Sequence, residues 1–253
     1  MVKGVLLDIS GVIYAGDEAL PGAVEAVARL RAAGLPVRFL SNSTRSPRRR
    51  LVEKLTKMGV PLDAGELFTP AAAARRWLEE TGHSAHFLIH PDLAEDFQGV
   101  PEEGPKALVL GDAGRFFTYE ALNAAFRVLE GGAPFLALAA NRVFRDADGG
   151  LSLDAGAFVR ALEYASGTEA RILGKPAPGF FAAAAADMAL ELGAVAMVGD
   201  DAEADVAGAR AAGAGAAYLV RTGKYRQGDE ARVTPPPTAV VDDLAAAAAR
   251  ILG

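Results

Sequence analysis

Apolar, strand-like runs alternate with helical segments from one end of the chain to the other. That alternation restricts the fold to the α/β class, with right-handed crossovers and a mainly parallel sheet. GVLLD (4–8) leads to a helix opened by Pro21, then to VRFLS (37–41) and a second helix with Ser46 as N-cap and Pro47 in its first turn. Thr69 and Pro70 open a further helix through Trp77. The pattern then restarts with AHFLI (85–89), KALVL (106–110), a helix over 119–130, APFLALA, a helix over 155–166 after Asp154, and ARIL (170–173). A helix after Pro178, the strand AVAMVGD (194–200), a helix over 204–212, the strand AAYLV (216–220), a turn at the Pro235, Pro236, Pro237 run and a terminal helix complete the chain. The first strands alone would leave a sheet unfinished. Residues 73–173 are therefore expected to form an inserted unit, and 1–72 and 174–253 a discontinuous core.

Composition narrows the partners. With 253 residues, 51% of them hydrophobic, the chain can bury a substantial core. It has no cysteine, which excludes disulfides, thiolate zinc sites and a cysteine nucleophile, and which suits a cytoplasmic address. A net charge of -6 argues against nucleic acid and against an anionic membrane surface. Residues 1–15 lack the zones of a secretory signal, and the apolar runs are too short or too Ala-rich to span a bilayer.

Four polar clusters fall at the carboxyl ends of predicted parallel strands, where such sheets place ligands. They are Asp8 with Ser10 and Gly11; Ser41 with Asn42; Gly174, Lys175 and Pro176; and GDDAEAD, 199–205. Asp8, Asp200 and either Asp201 or Asp205 would gather several carboxylates in one crevice, and like charges so close require a cation. Mg²⁺ suits such a set, since it accepts carboxylates, a backbone carbonyl, waters and phosphate oxygens. Lys175 can neutralise the nucleophile and a phosphoryl oxygen, while the Ser41 hydroxyl and the Asn42 amide bind the remaining oxygens. Together these parts make a phosphoryl-transfer site with an aspartate nucleophile.

The order of these motifs resembles the haloacid dehalogenase superfamily of phosphatases. The segments VRFLSNST, LNAAFRVLEGGAPFLALA, AFVRALEYASG, GKPAP, MVGDDAEADVAGA and RTGKYRQGDE are similar to its capped class IIA branch, which contains haloacid-dehalogenase-like hydrolase domain-containing protein 2 and phospholysine phosphohistidine inorganic pyrophosphate phosphatase, with a leaning toward the former. The resemblance runs from about Lys3 to Leu252. It implies a Rossmann-like core with an inserted α/β cap, Asp8 as nucleophile, the Ser10 carbonyl and Asp200 as direct Mg²⁺ ligands, Asp205 as their support, and Ser41 and Lys175 on the phosphoryl group. Asp201 remains an alternative supporting acid.

Ser10 departs from the commoner superfamily pattern, which has an aspartate there to protonate the leaving group; the branch itself carries serine. A serine hydroxyl is a poor general acid near neutrality. Activated donors are the expected substrates: pyrophosphate, aryl or acyl phosphates, and P–N bonds.

Weaker signals complete the reading. TRSPRRR (44–50) is expected to be a solvated helix start rather than an anion funnel. His83, His86 and His90 are expected on the surface or satisfied in the core rather than on a metal. Asn141 and Arg142, just after a strand of the inserted unit, are candidates for substrate selection, and Phe116, Phe117 and Tyr119 either line a cap interface or fill the cap core. The expected substrate is small because a cap must close over it, and a homodimer through the cap is a further expectation. A phosphotransferase, or a binding module without turnover, would share much of this motif set.

Overall fold

The computed structural model describes residues 2–145 and 150–253. The chain divides into two compact units: Met1–Ser41, Arg49–Phe68 and Lys175–Gly253 form the first, and Asn42–Arg48 with Thr69–Gly174 the second. Asn42–Arg48 and residues 69–72, expected with the first core segment, thus group with the second unit.

Six parallel strands make the sheet of the first unit, in the order Ala239–Val241, Ala216–Val220, Val195–Gly199, Gly4–Asp8, Val37–Leu40, Leu67–Phe68. Helices cover both faces of such a sheet, so its central strands read as unbroken apolar runs. Every residue of GVLLD and VAMVG is buried. Successive side chains leave on opposite faces. Leu7, Phe39 and Val198 pack with the helices Ala23–Ala32, Arg48–Lys57 and Leu244–Leu252. Leu6, Leu40 and Met197 pack instead with Phe180 and Phe181 of helix Pro178–Asp187 and with Val206. Burying side chains such as Phe39 and Phe181 contributes roughly 1.5–3 kcal/mol each.

Two features differ from the sequence expectation. Both edge strands, Leu67–Phe68 and Ala239–Val241, are two or three residues long and too short to show a period. The helix expected over 204–212 starts earlier as a π-helix, Ala202–Ala207, and continues as the α-helix Gly208–Ala212. The Asp201 carbonyl accepts from both Asp205 N–H (3.0 Å) and Val206 N–H (3.3 Å), which widens this turn.

The second unit has its own four-stranded parallel sheet, ordered Arg171–Ile172, Phe135–Ala137, Lys106–Leu110, Ser84–Leu88. Leu108, Leu110 and Phe135 face helices Tyr119–Glu130 and Ala155–Ser166, while Ala107, Val109 and Leu136 face helix Pro70–Thr81. Thr69, Thr118 and Asp154 cap these three helices through their side chains. Phe117 stacks on Phe158 at 3.7 Å against this core, whereas Tyr119 is exposed. An antiparallel pair, Val143–Arg145 with Leu151–Leu153, was not legible in the sequence. No helix among the described residues is long and apolar enough to cross a membrane.

Candidate active site

Asp8 ends the central strand, and its register partner Leu40 on the neighbouring strand is followed directly by Ser41. Asp200 follows the other neighbouring strand, Val195–Gly199. The parallel order therefore delivers Asp8, Ser41 and Asp200 to one edge of the sheet. The π-turn returns Asp205 to the same place, and Lys175 opens the returning core segment.

These groups form a connected, buried cluster. Lys175 Nζ lies 2.5 Å from Asp8 Oδ1 and 2.7 Å from Asp205 Oδ1. Asp205 Oδ2 accepts the Asp201 N–H at 3.2 Å. Asp8, Asp200 and Asp205 each offer one carboxylate oxygen, all within 4.8 Å of one another. Exposure is 8% at Asp8, 4% at Lys175, 2% at Asp200 and 1% at Asp205, so water does little to screen them.

The electrostatics follow from that crowding. Burial, reinforced by neighbouring carboxylates, pushes Asp200 and Asp205 up to about 6. Burial also raises Asp8, with Asp200 adding to it and Lys175 opposing. Burial disfavours the charge of Lys175, but Asp205 and Asp8 outweigh it and hold the ammonium protonated beyond the usual lysine range. Asp201 behaves differently. Burial works against its charge, yet the Ala204 N–H and Lys224 hold its carboxyl below the ordinary range. Its carboxylate caps the π-helix, accepting from Glu203 N–H and Ala204 N–H, and pairs with Lys224 at 3.3 Å. Asp201 is thus the cap of this turn and lies outside the three-carboxylate group.

The other expected residues are placed as follows. Ser41 is buried, with its N–H donating to the Phe68 carbonyl at 3.0 Å. Ser10 is exposed and bridges to Tyr14 in the turn after Asp8. Asn42 and Asn141 line a cavity of about 250 Å³ in the second unit, together with Thr44, Arg45, Asp112, Phe144 and Asp154. Arg142 is exposed, and its carbonyl accepts the Asp154 N–H at 3.1 Å.

The basic stretch is more engaged than a solvated helix start. Arg45 pairs with Asp112 at 2.6 Å and lies over the Phe144 ring at 5.0 Å, the Arg48 N–H donates to Asp96, and Arg49 pairs with Glu53. His83 accompanies Trp77 and Thr81, and His90 caps a short 3-10 helix. Among the described residues, the histidines join no group of potential metal ligands.

Sequence reading passed over Thr222 and Lys224. The Thr222 hydroxyl donates to the Gly11 carbonyl at 2.6 Å, and the Lys224 N–H donates to Asp200 Oδ2 at 2.7 Å. A signal was present, since RTGK directly follows the strand Ala216–Val220 and so ends on the same sheet edge.

A haloacid dehalogenase-like hydrolase model matches residues 5–101, and a HAD-hydrolase-like model matches 172–247. Phospholysine phosphohistidine inorganic pyrophosphate phosphatase of Danio rerio is 44% identical over 99% of this chain and 94% of its own. The chain belongs to the haloacid dehalogenase-like (HAD) hydrolase family. Haloacid dehalogenase-like hydrolase domain-containing protein 2 of Rattus norvegicus is 42% identical over 94% of this chain and 91% of its own. The chain is thus about equally similar to both groups of relatives, at 44% and 42% identity. Among solved structures, 4-nitrophenylphosphatase of Thermotoga maritima superimposes with a TM-score of 0.88 at 27% identity, covering 98% of this chain and 97% of that one. Glycerol phosphate phosphatase of Mycobacterium tuberculosis, in complex with magnesium, gives 0.83 at 25% identity over 96% and 76%. The protein is an HAD-type phosphatase with a Rossmann-like core and an α/β cap.

Proposed function

We propose that this HAD phosphatase is a Mg²⁺-dependent phosphohydrolase working through an aspartyl-phosphate on Asp8, on small phosphorylated substrates with good leaving groups. The observation that carries the proposal is the buried Asp8–Lys175–Asp205 chain gathered with Asp200. Three carboxylates this close repel one another unless a proton or a cation lies among them. Their all-oxygen chemistry suits Mg²⁺. Asp8, Asp200 and the Ser10 carbonyl would hold the ion; Asp205, whose oxygens already meet Lys175 and the Asp201 N–H, would support it indirectly. Bound there, Mg²⁺ would offset the charge of the phosphoryl oxygens. The magnesium complex of the Mycobacterium tuberculosis enzyme supports this choice of ion.

A carboxylate oxygen of Asp8 attacks phosphorus, the bond from phosphorus to the leaving atom breaks, and that atom departs with the electron pair. Lys175 opposes the burial that disfavours the Asp8 anion and meets a phosphoryl oxygen, with the Ser41 hydroxyl as a further donor. Water then attacks phosphorus in the acyl phosphate, releasing orthophosphate and restoring Asp8. Asn141 and Arg142, in the second unit, are the candidates for substrate selection. Ser10 supplies no effective acid, so the leaving atom must depart unaided. Phosphate from pyrophosphate, an aryl oxide, a carboxylate, and a protonated imidazole or amine all meet that condition. The substrates named for the Danio rerio and Thermotoga maritima relatives share it. A cysteine-free chain also suits a reducing, cytoplasmic compartment.

The test compares Mg²⁺-dependent phosphate release from p-nitrophenyl phosphate and from glycerol phosphate, for wild type and Asp8→Asn. The aryl ester is expected to react at least about 100-fold faster, the low end of what a general acid supplies, with both activities lost in the variant. Equal rates on the two esters would contradict the leaving-group restriction. Turnover by Asp8→Asn would contradict the nucleophile.

A further inference from the structure

Thr222, Gly223 and Lys224 bind no substrate in the scheme above, yet they touch both the turn after Asp8 and the Asp200 carboxylate. The Thr222 hydroxyl donates to the Gly11 carbonyl at 2.6 Å, holding the turn that carries Ser10. Two residues on, the Lys224 N–H donates to Asp200 Oδ2 at 2.7 Å, fixing the rotation of that carboxylate, while Lys224 Nζ pairs with Asp201. Between them, Gly223 has φ +65°, and a Cβ there would lie 2.0 Å from Asp200 Oδ2 and 2.6 Å from the Gly11 Cα. Gly11 answers from the other side with φ +85°, where a Cβ would lie 2.1 Å from the same oxygen. The Asp200 carboxylate is therefore wedged between two glycine backbones, each of which needs both its missing side chain and its left-handed conformation.

We infer that Thr222–Lys224 is a clamp that sets the spacing between the turn after Asp8 and the Asp200 carboxylate, with Thr222 as a positioning residue for cation binding. The inference rests on the proposed Mg²⁺ site. It adds that the geometry of that site is imposed from a third strand end rather than by the ligands alone. A metal site depends on such supporting hydrogen bonds, whose loss typically costs 10–100-fold in affinity. The chemistry is otherwise untouched, because neither the Thr222 hydroxyl nor the Lys224 amide meets the phosphoryl group in this scheme.

The test uses Thr222→Val, which removes the donor at nearly constant shape, and Thr222→Ser, which restores it. Mg²⁺ affinity is read twice, by calorimetric titration of the substrate-free protein and as the Mg²⁺ concentration for half-maximal p-nitrophenyl phosphate hydrolysis. Thr222→Val is expected to weaken both by about tenfold, with KM for the ester at saturating Mg²⁺ and the metal-free melting temperature near wild type. Thr222→Ser is expected to recover to within about threefold of wild type. Wild-type Mg²⁺ affinity in Thr222→Val would overturn the clamp while leaving the phosphatase proposal standing. An equal drop in metal-free stability and affinity, without rescue by serine, would reduce Thr222 to a packing role. Failure of the wild type itself to bind Mg²⁺ would instead remove the proposed metal site on which the clamp depends.

Discussion

Among the described residues, two groups of buried acids stand out, one in each unit, and they are built in opposite ways. In the second unit, Asp112 accepts the Gly114 N–H at 3.0 Å and pairs with Arg45, while Asp154 accepts the Ala155 N–H at 2.7 Å and caps its helix. Those carboxylates are satisfied by neighbouring backbone amides and, at Asp112, by the Arg45 guanidinium. In the first unit, Asp8 ends one strand, Asp200 follows its neighbour, Asp205 returns on the π-turn, and the three gather around one buried lysine. Acids that satisfy local amides stabilise turns; acids driven together against their own repulsion store the capacity to bind a cation and to attack.

Removing the proposed nucleophile should separate the two groups most strongly. Asp8→Asn is expected to lower phosphate release by roughly three orders of magnitude or more, whereas Asp112→Asn should leave the Mg²⁺ dependence of the residual activity unchanged; steady-state assays across a Mg²⁺ series check both. Lys175→Met comes next. It strips the buried carboxylates of the lysine that faces them and should cost about 3–5 kcal/mol in urea unfolding at neutral pH. The deficit should shrink near pH 5, where Asp200 and Asp205, both raised to about 6, become neutral.

The same raised values predict how the metal-free protein responds to pH. Between the ordinary carboxylate value of 3.8 and about 6, the folded state holds more protons than the unfolded state at these two sites. Their contribution to stability therefore falls as pH rises through that window, and the deficit is complete above it. Mg²⁺ should raise the melting temperature more above pH 7 than at pH 5, and a gain independent of pH would show that the ion binds elsewhere. Smaller still, Ser10→Asp should increase the rate on glycerol phosphate relative to p-nitrophenyl phosphate by about 100-fold, the low end of general acid catalysis. Asn141→Ala, confined to the second unit's cavity, should change KM several-fold and kcat less, as expected for loss of binding shared by ground and transition states.

How much was legible in the sequence differs along the same divide. Asp8, Lys175, Asp200 and Asp205 stand out because charged side chains at the ends of apolar strands are a side-chain pattern, and a sequence displays side chains. Thr222 and Lys224 act on the site through a backbone carbonyl and a backbone N–H, and every residue carries those. Their role was hidden in RTGKYRQGDE, a segment that carries the family resemblance without singling out these two residues. The Ala202–Ala207 π-turn was hidden for a related reason, since its helical periodicity differs from that of an α-helix by about one residue in a single turn. Arg45 was underestimated because its partner, Asp112, lies far along the chain, and pairing across such a separation leaves no local trace.

The most direct test of the central claim is an acid-quenched mass spectrum of the protein taken during turnover of p-nitrophenyl phosphate with Mg²⁺. The account predicts a population heavier by one phosphoryl group, located by fragmentation on Asp8 and absent from Asp8→Asn. A phosphoryl group found on another residue during productive turnover would contradict it.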